Sequence, residues 1–246
     1  MNEQELRRID FHGHFLPKMD DGSKSVAQSI SMLQTMKRNG IARAIATPHF
    51  YADDEPLDRF LARREAAYNA LRSSLNGEDI PEISLGAEVR YYAGISRLDG
   101  LEKLRLEGSR LLLLEMPFCH WSESTIQEVL DMCANGHLTI VLAHIDRYLK
   151  MQDKNVWERL LASGALFQCN AESFRNLFTR MKLLGMFRKQ MIHFVGSDCH
   201  NETSRPPNVE LAFETLERKF GTDFLHALLA FENEMLPEIE KEKSLV

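Results

Sequence analysis

The sequence has 246 residues, a formal net charge of −6, 44% hydrophobic residues and 27% charged residues. This length suits one large domain, and the acidic balance argues against a nucleic-acid-binding protein that works by neutralising phosphates. No apolar run approaches the ~20 residues that a membrane-spanning helix needs, so we expect no membrane insertion.

Cysteine usage and the first residues indicate the compartment. The four cysteines are widely spaced and include no Cys-x-x-Cys pair, which indicates neither a zinc ribbon nor a disulfide framework and is typical of a reducing compartment. Residues 1–5 are polar and acidic, so they predict no signal peptide. Together these features predict a cytoplasmic protein.

Apolar runs and helical periodicities alternate along the chain. The first strand, 6–11, is followed by a helix that starts at a capping box formed by Ser25 and Gln28 and ends at Gly40. Further strands are predicted at 41–46, 82–89, 111–114, 138–143, 165–170 and 193–196. Further helices are predicted at 56–75, 124–134, 156–162, 174–190, 208–220 and 223–236. The order of strand then helix, seven times over, is typical of a parallel α/β barrel, with residues 1–246 as a single domain and the charged run 238–243 as a solvated end.

The segment after the first strand is rich in metal ligands. His12 and His14 are two residues apart, so in an extended chain they project to the same side and can share one metal ion. Asp20-Asp21-Gly22 is a turn that brings carboxylates back towards them. The His-x-His pair alone is a weak signal, because solvated or core histidines also produce it.

Further candidate ligands come at or just after the ends of other predicted strands. The full set is His12, His14, Asp21, His49, Glu88, Glu115, His144, Asp198 and His200. In a βα barrel the C-terminal strand ends gather at one face, where active sites are built. Taken singly, each residue also has a structural explanation, such as a turn for His49 or a satisfied rim histidine for His144. Six strands that deliver such residues to one rim favour a metal centre.

The donor set limits the metal. Four carboxylates and five neutral imidazoles would neutralise two divalent ions, and with three ions they would leave two positive charges for hydroxide or a phosphate dianion. Imidazole and carboxylate donors without thiolate favour Mn, Fe or Zn. Arg147 and Arg205 follow two of the ligand motifs, and each can clamp phosphate oxygens, although a surface salt bridge is the ordinary role of a single arginine.

These motifs together resemble the PHP (polymerase and histidinol phosphatase) family of metal-dependent phosphoesterases. The branch they resemble most is the bacterial manganese-dependent protein-tyrosine phosphatases of capsule and exopolysaccharide clusters, the CpsB/YwqE type. The matching segments are Asp10-Phe11-His12-Gly13-His14, Asp20-Asp21-Gly22, Thr47-Pro48-His49, Gly86-Ala87-Glu88, Glu115-Met116-Pro117, Ala143-His144 with Arg147-Tyr148, and Ser197-Asp198-Cys199-His200 with Arg205-Pro206. Ile145, Asp146 and Cys199 depart from the usual Pro, Glu and Ala of this branch, but none of them removes a ligand.

The resemblance implies a distorted (βα)7 TIM-like barrel, the PHP fold, that holds three divalent metal ions, most often Mn. It implies that Arg147 and Arg205 bind the substrate phosphate while a metal-activated hydroxide attacks phosphorus. The implied substrate is phosphotyrosine on the tail of an autophosphorylating tyrosine kinase that governs capsular or exopolysaccharide synthesis. Asp146 or a rim histidine is a candidate proton donor.

Three alternatives stay open at this point. A histidinol phosphatase, or another small phosphomonoesterase, would use the same chemistry on an alkyl phosphate. A metal-stabilised scaffold of a polysaccharide assembly complex would use the same ligands without turnover. Cys199 and Arg205 have the Cys-x5-Arg spacing of thiolate phosphatases, but that loop normally needs glycine, and here Glu202 would face the phosphate. The sequence leaves the oligomeric state open.

Overall fold

Short parallel strands that curl around one axis form the centre of the fold. Within residues 6–237, which the computed structural model describes, they are β1 (Ile9–Gly13), β2 (Arg43–Ala46), β3 (His49–Phe50), β4 (Glu82–Leu85), β5 (Glu88–Arg90), β6 (Leu111–Glu115), β7 (Thr139–Leu142), β8 (Leu166–Asn170) and β9 (Phe194–Gly196). The polar residues 1–5 and the charged run 238–243, from which we expected no signal peptide and a solvated end, lie outside the described residues.

One of the seven predicted strands, 82–89, is divided in two, and another, 41–46, is followed by an additional short strand. A break after Ala46 separates β2 from β3, and a break before Glu88 separates β4 from β5. The order β1-β2-β4 forms one sheet, β3-β5-β6-β7-β8-β9 forms the other, and the strand pairs are parallel. Pro48 has no N–H to offer a ladder, but the Glu88 N–H donates to its carbonyl at 3.1 Å. The breaks are therefore local and the wall of the barrel continues across them.

The first and last strands close the barrel. Gly13 and Cys199 form a parallel bridge, and the His14 N–H donates to the Cys199 carbonyl at 2.8 Å. Gly196 permits the close approach, because a Cβ at this position would lie 2.6 Å from the Cβ of His12. The predicted distorted (βα)7 barrel is confirmed, and its closure places residues from the two ends of the described region side by side.

Helices cover the outside of the strands. Within residues 6–237 they are α1 (Val26–Arg38), α2 (Leu57–Ser73), α3 (Glu123–Asn135), α4 (Lys154–Ala162), α5 (Leu177–Arg188), α6 (Glu210–Phe220) and α7 (Thr222–Met235). The predicted cap of α1 is confirmed, because the Ser25 hydroxyl accepts from the Gln28 N–H at 3.2 Å. The helices of this part of the chain lack the combination of length and apolarity that crossing a bilayer requires.

The predicted alternation of strand and helix is wrong at one connection. Between β5 and β6 the chain makes two short 3-10 turns, Ile95–Arg97 and Leu101–Leu104, instead of an α-helix. Gly94 and Gly100 come directly before these turns with φ of 97° and 82°. This left-handed conformation interrupts an α-helix, and glycine adopts it without a steric penalty.

Candidate metal centre

The nine predicted ligands converge at the C-terminal ends of the strands, and Glu88 lies at the centre of the cluster. One oxygen of Glu88 lies 3.2 Å from Nε2 of both His12 and His14. Its other oxygen lies 2.7 Å from Nε2 of His144, which is also 3.6 Å from the Glu115 carboxylate. These side chains are buried, so the cluster concentrates carboxylates and imidazoles away from water.

Sets of three ligand atoms in the cluster lie within 4.8 Å of one another. The sets are His14, His49 and His200; His12, His14 and Asp198; and His49, Glu88 and Glu115. Asp21 adjoins them, since its Oδ1 lies 3.3 Å from His200 Nε2 and 3.5 Å from His49 Nε2. The buried atoms Glu88 Oε2 and His49 Nδ1 lie 3.0 Å apart, but their contacts with each other and with the neighbouring imidazoles lack the geometry of hydrogen bonds. Buried polar atoms normally have partners, and divalent cations would satisfy these two, so the residues fit a metal centre.

Asp20, which was not among the predicted ligands, orients the side chain of His14 and holds the backbone of His49. Its Oδ2 lies 2.8 Å from His14 Nδ1 and accepts from the His49 N–H at 3.0 Å. A carboxylate at Nδ1 turns Nε2 of His14 towards the cluster. Gly22 makes the turn possible, because a Cβ there would lie 2.0 Å from the His14 carbonyl oxygen. The turn therefore places Asp20 to orient His14 and presents Asp21 to the cluster.

Strand β8 contributes two further site residues that the sequence analysis missed. Gln168 Oε1 accepts from the His144 N–H at 2.6 Å and lies 3.4 Å from His12 Nδ1. Asn170 Nδ2 donates to Asp198 Oδ2 at 2.8 Å. The signal was present in the sequence, because these amides occupy alternate positions of an otherwise apolar strand and so share one face.

Two of the candidate ligands have left-handed backbone conformations. His144 has φ 33° and ψ 55°, and Asp198 has φ 53°. Such conformations cost non-glycine residues about 1–3 kcal/mol each and persist where the surrounding structure fixes them. Both residues come just after a strand of the barrel, and Lys18 and Gln190, which are not candidate ligands, also have a positive φ.

The cluster perturbs the protonation of its own members. Burial opposes the ionisation of Glu88, but His12 and the other histidines outweigh it and hold the pKa of Glu88 well below its usual range. Burial likewise opposes protonation of His14, but Asp20 and neighbouring carboxylates raise its pKa well above the usual value. The pKa of His12 is raised in the same way, with Glu88 and Asp198 overcoming burial. Bound cations would displace these protons.

Arg147 and Arg205 meet at Asp198, beside the cluster. The Nη2 atom of Arg205 lies 2.6 Å from Asp198 Oδ2, and Arg147 contacts the same oxygen. Arg205 Nη1 also lies 2.9 Å from Nε2 of His200. A cavity of about 170 Å³ is lined by both guanidinium groups and by Asp198. Two half-exposed arginines that share one carboxylate oxygen can turn their remaining donors to an anion in this cavity.

The structure argues against both alternative roles considered for residues of these loops. Cys199 is fully buried, and burial raises the pKa of its thiol to about 12, so it does not provide an accessible thiolate. Asp146 accepts hydrogen bonds from the Asn170 N–H at 2.8 Å and the Ser173 hydroxyl at 2.6 Å. Its carboxylate therefore stabilises the turn after β8 and is not directed at the cluster as a proton donor.

Comparisons with known proteins agree over almost the whole chain. A family model described as "Capsular polysaccharide synthesis, CpsB/CapC" matches residues 8–236. The chain is 33% identical over 229 residues to tyrosine-protein phosphatase YwqE of Bacillus subtilis, covering 89% of this chain and 88% of YwqE. It is 32% identical over 235 residues to tyrosine-protein phosphatase CpsB of Streptococcus pneumoniae, covering 87% and 91% of the two chains.

Solved structures give the same result. A structure from work described as crystal structures of YwqE and CpsB, "unique metal-dependent tyrosine phosphatases", matches with a TM-score of 0.78 and 31% identity, covering 92% of this chain and 93% of that chain. An organophosphorus hydrolase from Deinococcus radiodurans has a TM-score of 0.53 at 10% identity, covering 94% and 92%, and shares the fold alone. The chain belongs to the CpsB/CapC family of capsular polysaccharide synthesis proteins.

Proposed function

We propose that this protein is a metal-dependent protein-tyrosine phosphatase in which residues 1–246 act as one domain. The observation that carries the proposal is the convergence of nine candidate metal ligands in one cluster, with Arg147 and Arg205 both meeting that cluster at Asp198. The relatives YwqE and CpsB, both named tyrosine-protein phosphatases, support it.

The donor set suits three divalent cations, with Mn favoured and Fe or Zn compatible with the same ligands. Glu88, whose two oxygens face different histidines, would hold such ions together with those histidines. Bound ions of this kind supply Lewis acidity and a water whose pKa is lowered to about 7.

The two arginines would hold the phosphate. A phosphate in the cavity beside Asp198 would receive guanidinium donors from both Arg147 and Arg205, and their charges would offset the charge that develops on its non-bridging oxygens. The phenol of tyrosine has a pKa of about 10 and is a good leaving group. The reaction therefore does not require Asp146, whose carboxylate is already engaged.

Phe118 favours an aromatic phosphate over the alkyl phosphate of a histidinol phosphatase. Its ring is 53% exposed and lies beside the cluster, stacked on His144 with centroids 6.0 Å apart and an angle of 17° between the planes. The guanidinium carbon of Arg147 lies 5.8 Å from the same ring. An exposed ring next to the phosphate-binding arginine gives a phosphotyrosine ring a surface to pack on.

The family's link to capsular polysaccharide synthesis supports a more specific substrate. We assign the phosphotyrosine to the tail of an autophosphorylating tyrosine kinase that governs capsular or exopolysaccharide synthesis. A cytoplasmic location for this activity is supported by the cysteines, all four of which are free.

Hydrolysis of a phosphotyrosine peptide with added Mn, with a chelator, and by the Cys199→Ala variant tests the proposal. We expect activity that needs the metal, disappears with chelator and survives Cys199→Ala. Activity that ignores the chelator and disappears with Cys199→Ala would establish the thiolate mechanism instead. Turnover of histidinol phosphate but not of the peptide would favour the alkyl alternative, and no turnover of either by the metal-loaded protein would favour the scaffold.

A further inference from the structure

The outer face of α5 is apolar and basic. Leu177, Phe178 and Met181 are 54%, 77% and 64% exposed, whereas Leu183 and Phe187 of the same helix are buried in the core. The helix contains no acidic residue. A helix that only covers the barrel needs apolar residues on its inner face, so the outer apolar group marks a surface for a ligand.

This face continues into a cavity beside the candidate metal centre. The cavity has a volume of about 500 Å³, and its lining includes Phe178 and Lys182 of α5 together with Leu149, Lys150 and Arg147. Arg147 also lines the smaller cavity in which we place the phosphate. A ligand that fills both cavities therefore meets the metal centre and the outer face of α5 without a gap.

The charges in the larger cavity are unbalanced. Arg147, Lys150 and Lys182 bring positive charge, and Lys150 and Lys182 form no ion pair within residues 6–237. Asp146 is the acidic residue among the described residues of the lining, and its carboxylate accepts hydrogen bonds from the turn after β8. This local excess contrasts with the net charge of −6 of the whole chain. An acidic partner is the complementary one.

We propose that the cavity and the outer face of α5, here called the α5 groove, bind the segment next to the phosphotyrosine in the substrate polypeptide, and that this segment is acidic and carries an apolar side chain. The proposal rests on the proposed function, because Arg147 lines both the groove and the cavity in which we place the phosphate. An extended chain covers about 3.3 Å per residue, so three residues beside the phosphotyrosine span about 10 Å. Carboxylates would pair with Lys150 and Lys182, and the apolar side chain would pack on Phe178.

The test compares three substrates of the metal-loaded protein. One phosphotyrosine peptide carries two Glu and one Leu within three residues of the tyrosine, a second carries Lys in place of both Glu, and p-nitrophenyl phosphate has no flanking chain. For the double variant Lys150→Glu/Lys182→Glu we expect kcat/KM on the acidic peptide to fall about tenfold more than on p-nitrophenyl phosphate, as two lost surface ion pairs and new repulsion allow. The basic peptide should gain.

A second variant and a control separate charge from apolar contact. Phe178→Ser/Met181→Ser should lower kcat/KM on both Leu-containing peptides and spare p-nitrophenyl phosphate by comparison. Lys219→Glu, on the exposed end of α6 and outside the cavity lining, makes the same Lys-to-Glu change at a single position and should not alter the ranking of the substrates. Equal losses on all three substrates would overturn the groove, because they would place the effect at the metal centre.

The remaining outcomes also decide whether the groove binds the peptide. Turnover of p-nitrophenyl phosphate without any preference between the peptides would remove the groove and leave the phosphatase intact, whereas no turnover of any substrate would remove the proposed function and the groove together. Two results with unchanged peptide turnover would assign the face to another occupant and overturn the proposal. One is a dimer that Phe178→Ser/Met181→Ser dissociates. The other is binding to anionic vesicles that Lys150→Glu/Lys182→Glu abolishes.

Discussion

At the scale of single residues, Asp198 joins the other candidate metal ligands to Arg147 and Arg205, the arginines proposed to bind phosphate. Its Oδ1 faces His12 and His14 at 3.7 Å and 3.4 Å, and its Oδ2 contacts Arg147 and Arg205. Asp198→Asn keeps the shape of the side chain but removes the negative charge that both the metal ions and the two arginines need. We expect kcat/KM on a phosphotyrosine peptide to fall at least about 100-fold, with reduced metal content by elemental analysis.

Asp131→Asn is the matched control for this change. Asp131 is an exposed residue on α3, and the substitution should leave activity and metal content as they are. If Asp198→Asn retained both, the assignment of Asp198 to the metal centre would be wrong.

Phe118 belongs to the same scale, because one ring is expected to set the preference for an aryl phosphate. Phe118→Ala should raise KM for the phosphotyrosine peptide by roughly 2–10-fold, the range that an aromatic contact supplies, with little change in kcat. Phe118→Tyr should restore the wild-type KM. An equal rise in KM for a small alkyl phosphate would show that the ring acts on the arginines or the cluster and not on the aromatic group.

At the scale of elements, α7 packs a buried carboxyl group against β9. Glu232 Oε1 accepts from the Val195 N–H at 3.3 Å, and Oε2 has no hydrogen-bond partner in the part of the chain that is described. Burial raises the pKa of Glu232 well above the ordinary 4.5. The folded state therefore binds this proton more tightly than the unfolded chain does.

Glu232→Gln is expected to stabilise the protein at alkaline pH. The stability that protonated Glu232 contributes is fully present below about 4.5 and is lost as pH rises through its raised folded pKa. Gln cannot ionise, so the variant should gain free energy of unfolding at pH 8 relative to wild type and should not gain it at pH 4. Urea denaturation at both pH values, with chelator present throughout, measures the difference.

Glu234→Gln provides the control on the same helix, since Glu234 is exposed. It should leave the stability difference between the two pH values unchanged. A gain from Glu232→Gln of equal size at pH 4 and pH 8 would trace the effect to packing and would contradict an ionisation penalty at Glu232.

Elements were easier to predict than the orientation of side chains within them. The apolar run at 111–114 followed by Glu115 identified both a buried strand and the end that lies at the cluster, because hydropathy changes at one residue. In the Asp20-Asp21-Gly22 turn, the sequence does not distinguish the two neighbouring aspartates. Their separate roles depend on how closely Gly22 approaches the His14 carbonyl. That contact joins segments through the tertiary fold, so local sequence does not reveal it.

The connection between β5 and β6 shows that local sequence signals can also be overlooked. Its 3-10 turns follow left-handed Gly94 and Gly100, and a count of alternating elements overlooked them. Gln168 and Asn170 were also missed, although their alternate spacing was visible, because amides do not appear among the usual metal ligands. In the structure they act on the backbone of His144 and on the carboxylate of Asp198.

At the scale of the whole molecule, bound cations would connect strands that are far apart in sequence. The candidate ligands come from loops and strands all around the barrel, so ions that bind the folded state would stabilise it as a unit. At a free metal concentration 100 times Kd, this linkage is worth about 2.7 kcal/mol. We expect chelator to lower Tm by roughly 5–10 °C in a chain of this size and Mn to restore it.

The size of this shift should depend on pH in a defined direction. The pKa values of His12 and His14 are raised in the cluster, so cations must displace protons, and metal affinity falls as pH falls. The Mn-dependent rise in Tm should therefore be smaller at pH 6 than at pH 8 when measured by differential scanning calorimetry. A shift that is independent of pH would show that the ions bind away from these histidines.

Closure of the barrel between β1 and β9 has a consequence during protein synthesis. His12 and His14 leave the ribosome early, but Asp198 and His200 follow only after most of the chain has been made, about ten seconds or more later at ordinary rates of translation. Until the segment after β9 emerges, the nascent chain has neither the last candidate ligands nor Arg205. A ribosome-bound or prematurely terminated chain would therefore be catalytically silent, and the first turnover would mark the moment at which the barrel has been completed.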